Sequence, residues 1–183
     1  MLARLDAGPL EVANSPVTLR ALVEDCWRPY AATAADRGLA LRLRVPEDAA
    51  AVTDRDKLRV VVSNLIANAV EYTDAGGWIE IATGDGTVLD VIDSGPPIPA
   101  DQLERIFDRM WRSDAARTAT GVHCGIGLSL ARSLAGYVGM TLGADLRGDG
   151  AVRFRLAYSS STNAPFAENV ASLRALSTTK AIS

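Results

Sequence analysis

Asn64 and Asn68 are the residues whose type and spacing most need a reason. They stand four apart in the stretch 54–73, so on a helix they share one face, with Glu71 and Tyr72 one turn further on. Asn is an indifferent helix former, because its amide competes with the backbone for hydrogen bonds. Two in register read either as solvated amides bonding a neighbouring loop, or as a stripe facing a polar ligand. A carboxamide oxygen is a suitable hard ligand for Mg²⁺. Two further places invite chemistry. Asp93 opens a Gly/Pro loop with Gly95 two residues on. Gly125-Ile126-Gly127 precedes a helical pattern, where backbone N–H groups and the positive helix end can approach phosphates. An ordinary tight turn would look the same. This turn lacks the Gly-Lys-Ser/Thr of a Walker A loop and does not follow a strand as a dinucleotide fingerprint does.

The elements that position these groups follow from periodicity. Leu58, Val61, Val62, Leu65, Ile66 and Ala69 give the spacing of one buried helix face over 54–72. Asp54 or Asp56 caps its start, and Asp74 with Gly76-Gly77 ends it. Upstream, Ser15-Pro16 reads as an N-cap and first helical residue, opening a helix to about Arg37 with Leu19, Leu22, Val23, Cys26, Trp27 and Tyr30 on its apolar face. Residues 39–45 alternate as a strand, and Ala51-Val52 is a short apolar lead into the Asn helix. Residues 78–83 and 87–92 make a hairpin about Gly84-Asp85-Gly86. Residues 100–107 read as a short helix, and 108–124 as a lid or a disordered segment. A helix then runs to about Val138, followed by a hairpin of 140–146 and 151–158. Helices and hairpins are segregated, which implies a two-layer α/β sandwich with a mixed, mostly antiparallel sheet. Residues 1–14 read as the end of a helix and a linker, 15–158 as the domain, and 159–183 as a mostly disordered tail with a weak helix at 167–176.

Composition narrows the class. A net charge of −3 over 183 residues gives no sign of a nucleic-acid surface. The two cysteines, Cys26 and Cys124, have no zinc spacing and read as reduced thiols in a cytoplasmic protein. No apolar run approaches the ~20 residues needed to cross a bilayer. There is one histidine, His123.

Four motifs in order make a resemblance. Asn64-Leu-Ile-Ala-Asn68-Ala-Val-Glu-Tyr-Thr73 resembles the N box of bacterial sensor histidine kinases. Asp93-Ser-Gly95 resembles their G1 box, residues 106–112 (IFDRMWR) their F box, and residues 125–130 (GIGLSL) their G2 box. Residues 1–14 look like the end of the dimerisation helix that precedes this domain. The resemblance covers about residues 1–158 and implies the Bergerat ATP-binding fold, with helices on one face of a mixed sheet. It implies that Asn68 coordinates Mg²⁺ bridging the phosphates, with Asn64 near the phosphate end. Asp93 would accept a hydrogen bond from the adenine amine, since a carboxylate only accepts and that amine donates. Gly95 would let the backbone approach the base, and Gly125 and Gly127 would form the phosphate-side turn. Tyr72, Ile98, Phe107 and Leu128 would line the nucleotide. Arg109 and Arg112 would neutralise charge on the transferred group.

Departures are specific. A second Gly usual in the G1 box is Pro97 here, which removes an N–H and fixes φ. A Lys common before Tyr72 is Glu71, an acid that repels phosphate, and the often polar position four before Asn64 is Val60. ATPases of the superfamily carry a water-activating Glu at the position of Asn64. An amide is no general base, so the resemblance implies transfer to a protein rather than hydrolysis. His123 falls in the lid, so the acceptor histidine is expected on an upstream dimerisation domain of a parent kinase, with a response regulator receiver domain as final acceptor. The resemblance leaves room for a membrane anchor in that parent. The alternatives are a degenerate module that docks a partner without using ATP and, less well fitted, a serine-kinase anti-sigma factor of the same fold.

Overall fold

A computed structural model of the chain describes residues 13–84, 86–111 and 125–160. Five strands form the main sheet: β2 (Ala40–Arg44), β4 (Trp78–Gly84), β5 (Thr87–Asp93), β6 (Met140–Leu146) and β7 (Val152–Tyr158). Their order is β2-β4-β5-β7-β6, antiparallel throughout except for the parallel pair β2 and β4. A parallel pair needs a crossover, and here the crossover carries α3 (Arg55–Tyr72) across the sheet. Alternation then sorts the side chains. Ile79, Ile81, Leu89, Val91, Phe154, Leu156, Met140 and Leu142 are buried under the helices. The other face is charged, with Arg153 paired to Asp145, Arg155 to Asp90, and both Arg44 and Arg147 to Glu80.

α3 seats on the sheet through Leu58, Val61, Val62, Leu65, Ile66, Ala69 and Val70, all buried. Asp54 caps it, its Oδ1 accepting from Asp56 N and Lys57 N at 3.1 Å each. The Lys57 ammonium bonds the same carboxylate and holds its pKa below the usual range. At the far end Thr73 leaves the helix extended, Gly76 takes φ +78°, and the Arg37 guanidinium donates to the carbonyls of Val70 and Thr73. α1 (Leu19–Trp27), α2 (Ala31–Asp36) and α4 (Gly127–Tyr137) complete the helical layer.

Three expectations are corrected. Ser15–Thr18 is a strand, β1, and not the first turn of a helix. It pairs antiparallel with β3 (Ala50–Thr53) from Ser15↔Thr53 to Thr18↔Ala50, and this pairing outweighs the local capping pattern. The helix expected to run to Arg37 breaks at a 3-10 turn, Arg28–Tyr30, because Pro29 has no N–H and its ring crowds the carbonyl four residues back. Residues 100–107 form turns and one 3-10 turn, Arg105–Phe107, not a helix. Their apolar pair Ile106-Phe107 is adjacent rather than a turn apart, and so short a stretch does not meet the cost of helix nucleation. The expectations for residues 1–12, for the lid beyond Trp111 and for the tail beyond Ser160 lie outside the described residues.

The two faces of α3 should respond differently to truncation. Leu65→Ala is expected to lower unfolding free energy by about 2–5 kcal/mol in urea titration. Asn68→Ala, off the packed face, should change it by about 0.5 kcal/mol or less. A collapse of stability in Asn68→Ala would make that residue structural.

Candidate functional site

The unpacked face of α3 runs from Asn64 through Asn68 to Tyr72, and each end abuts a glycine. At the first end, Asn64 Nδ2 donates to Val60 O at 2.7 Å. That bond turns Asn64 Oδ1 towards the start of α4, where a Cβ on Gly127 would stand 2.8 Å from it. No side chain fits there, so Gly127 is what lets α4 begin against α3. At the other end, a Cβ on Gly95 would lie 2.7 Å from Tyr72 O and 2.7 Å from Asp93 Oδ1. Gly95 therefore lets the loop after β5 close onto the last turn of α3. Between these contacts Asn68 is half-buried, and its carboxamide makes no hydrogen bond among the described residues.

Asp93 ends β5 in the floor of the sheet and is 2 % exposed. Its Oδ1 accepts from Gly95 N at 3.0 Å, while the second oxygen has no partner among the described residues. Burial pushes its pKa up to about 6, partly offset by the Gly95 N–H. This is a carboxylate held in a place that costs free energy, with acceptor capacity left over. Ser94 ties the same loop to β4, its Oγ accepting from Trp78 N at 2.8 Å.

The remaining candidates are placed as follows. Gly125 takes φ +66° and its carbonyl accepts from Met110 N at 3.1 Å, which joins the segment after Phe107 to the turn before α4. Met110 itself has φ +64°, unusual for a side-chain-bearing residue and a mark of local strain, and it is exposed. Leu128 and Ile98 are half-buried and pack on the core. Phe107 is 6 % exposed, edge-on to Phe154 with centroids 6.4 Å apart, and capped by the Arg132 guanidinium at 4.6 Å. Its ring is thus engaged in packing. Tyr72 and Arg109 are exposed, and Arg109 makes no ion pair among the described residues. Pro97 is exposed and Glu71 half-buried. Arg112 and His123 lie outside the described residues. A polar cleft of about 430 Å³ beside Asp25, Cys26, Arg55 and Arg59 lies on the other flank of α3 and includes none of the candidates.

Sequence reasoning missed Arg37. It holds the carbonyls at the end of α3 from 33 residues away and so fixes the turn beneath Tyr72. No local pattern marks it, because its partner is the backbone of a distant element.

An Asn-lined helix held over a sheet, with a buried acid at one end and a glycine turn at the other, is the arrangement of an ATP-binding α/β sandwich. The chain belongs to the Histidine kinase-, DNA gyrase B-, and HSP90-like ATPase family, whose model matches residues 53–160. Relatives within that family include sensor kinases. It is 35% identical over 132 residues to the signal transduction histidine-protein kinase BaeS of Escherichia coli strain K12, covering 70% of this chain and 28% of that protein. It is 35% identical over 158 residues to the sensor protein kinase PmrB of Pseudomonas aeruginosa PAO1, covering 82% and 32%. The catalytic domain of the histidine kinase ThkA superposes with a TM-score of 0.68 at 25% identity, over 79% of this chain and 95% of that one. The chain thus spans about a third or less of the length of the curated relatives it matches.

The raised pKa of Asp93 has a signed consequence. Its folded-state value of about 6 exceeds the unfolded value near 3.8, so the folded chain holds the extra proton between them. Stability should therefore fall by up to about 3 kcal/mol as pH rises from 4 to 7 through this group. Urea denaturation of the wild type and Asp93→Asn across that range isolates the contribution. An identical pH slope in both would show that Asp93 is not its source.

Proposed function

We propose that this chain is the catalytic domain of a sensor histidine kinase, binding ATP with Mg²⁺ and transferring its γ-phosphoryl to a histidine on a dimerisation domain of the same parent kinase. The observation that carries the reading is the Asn64–Asn68–Tyr72 face stretched between the Gly127 and Gly95 contacts. Eight residues of helix separate its ends, about 12 Å, a length comparable to a nucleoside triphosphate. The residues fit that ligand. Asp93 offers an unused acceptor to the adenine amine, which guanine does not present. Asn68 offers a free carboxamide oxygen to Mg²⁺, an ion that keeps several waters and takes few protein ligands. No group of three or more His, Cys, Asp or Glu among the described residues could hold a metal alone, which suits a cation brought in with phosphates.

ATP supplies the activated phosphoryl group, and the chain supplies position and charge. Asn64 holds the start of α4 in place, so that the N–H groups of its first turn point at the phosphate end. Asn64 is not a base, which favours an acceptor other than water. Arg109, and Arg112 beyond the described residues, neutralise charge on the transferred group. An imidazole nitrogen forms the new P–N bond as the bond from the γ-phosphorus to the bridging oxygen breaks; ADP leaves with that oxygen, and the ring N–H proton passes to solvent. Exposed Met110, Ile126 and Leu130 lie beside this end, Ile126 just before α4 and Leu130 four residues on in its first turn. An apolar cluster there suits a docking acceptor helix. The response regulator receiver domain is the expected final acceptor.

Binding measurements test the nucleotide reading. ATP should bind more tightly than GTP, and Asp93→Asn should remove the preference. Because the acceptor must be ionised, ATP affinity should rise as pH rises through about 6, opposite to the effect on stability. Asn68→Ala should lose the Mg²⁺-dependent part of binding and stay folded. Equal affinity for both bases in wild type and variant would sink the assignment of Asp93.

Transfer is tested with labelled ATP, Mg²⁺ and a separate acceptor-helix fragment of the parent kinase. The domain alone should stay unlabelled, and the fragment should be labelled at a rate that rises with its concentration, since the tether's effective concentration is missing. Label on the domain alone that vanishes in His123→Ala would overturn this scheme. Tight ATP binding with no label anywhere would point to a docking module instead.

A further inference from the structure

β2 is one edge of the five-stranded sheet. Ala40 N donates to Gly77 O at 2.9 Å, so the backbone groups of Ala40 face β4. Alternation along the strand then directs the N–H and C=O of Leu41 and Leu43 out of the sheet. Beside that edge, a groove of about 240 Å³ runs between β2 and the helical layer, walled by apolar Val23, Trp27, Ala31, Leu41 and Leu43 and by one residue of each charge, Glu24 and Arg28. Trp27, Leu41 and Leu43 pack on the core from one side and remain half-exposed on the other. On the opposite face of the strand Arg42 is exposed, its guanidinium 4.4 Å over the Trp78 ring, with no carboxylate at ion-pair distance among the described residues. Arg44 pairs with Glu80 at 3.1 Å while 71% of its side chain stays exposed.

An extended chain laid along β2 would send successive side chains to opposite faces. Every second one would meet the apolar groove, and the others would meet Arg42 and Arg44. We propose that β2 is a docking edge for an extended segment of a partner protein in which apolar and acidic side chains alternate. The outward backbone groups of Leu41 and Leu43 supply hydrogen bonds, the groove takes the apolar side chains, and the two arginines select the acidic ones. A second copy of this chain is a poor occupant. Antiparallel pairing of β2 with itself sets Arg42 and Arg44 against their own kind, and like charges placed opposite are unfavourable.

Three capped heptapeptides test this on the full chain: valine alternating with glutamate, valine alternating with lysine, and the valines and glutamates in two blocks. Binding is followed by calorimetry and by amide hydrogen exchange at Leu41 and Leu43. The alternating Val/Glu peptide should bind and protect both amides. The other two should bind at least about threefold more weakly, a difference in the range of exposed ion pairs. Arg42→Glu, at an exposed position, should shift the glutamate-over-lysine preference by about tenfold, roughly threefold on each peptide. Equal binding of all three peptides, or none, would overturn the proposal and leave the arginines as guards against edge pairing. Concentration-dependent dimerisation that protects the same amides without peptide would overturn it in favour of a second copy.

Discussion

The seat of α3 on the sheet sets the geometry of everything around it. Seven apolar residues from Leu58 to Val70 fix its rotation, and full burial of each of the six larger than alanine is worth about 1.5–3 kcal/mol, so no other rotation competes. With the rotation fixed, Asn64 must meet the start of α4 and the end of the helix must meet the loop after β5. Both meetings occur where a Cβ would collide, at Gly127 and Gly95. Helix, turn and loop are therefore registered to one another by contact, with little slack. The caps add to this: Asp54 ties the first turn, and Arg37 ties the last.

Two buried carboxylates in this frame work in opposite senses. Asp54 accepts from two backbone N–H groups and a lysine, and its pKa is lowered, so its charge favours the fold. Asp93 has one backbone donor and much burial, and its pKa is raised. A chain selected for stability alone would place an apolar residue at the end of β5, since all its neighbours on the sheet face are apolar. Retaining an acid there is consistent with the proposed nucleotide site, in which a desolvated acceptor would meet a donor on the base.

Much of this was legible before the structure. The strength of the α3 pattern made its core face, its cap and the polar stripe readable, and four motifs in order gave the family. Asn64 was less legible. Its type and spacing marked the face, but its carbonyl turns out to brace Gly127, a relation between elements 63 residues apart. Phe107 packs edge-on against Phe154 and beneath Arg132, contacts that its place in a linear pattern does not reveal. Ser15–Thr18 misled because Ser-Pro opens helices locally, while its β3 partner lies 35 residues on. In each case the deciding term was a contact far away in sequence.

The small sheet of β1 and β3 has a consequence for how this domain can be built into longer chains. Pro16 is the register partner of Val52, and Val52 N donates to Tyr158 Oη at 3.1 Å, on the last strand. The first and the last strand among the described residues thus converge on the same residue of β3. The two ends of the described fold meet there, at β3. A fold whose described ends meet in this way suits insertion into a host loop, or circular permutation with the cut made between exposed Gly84 and Gly86, without re-threading the sheet.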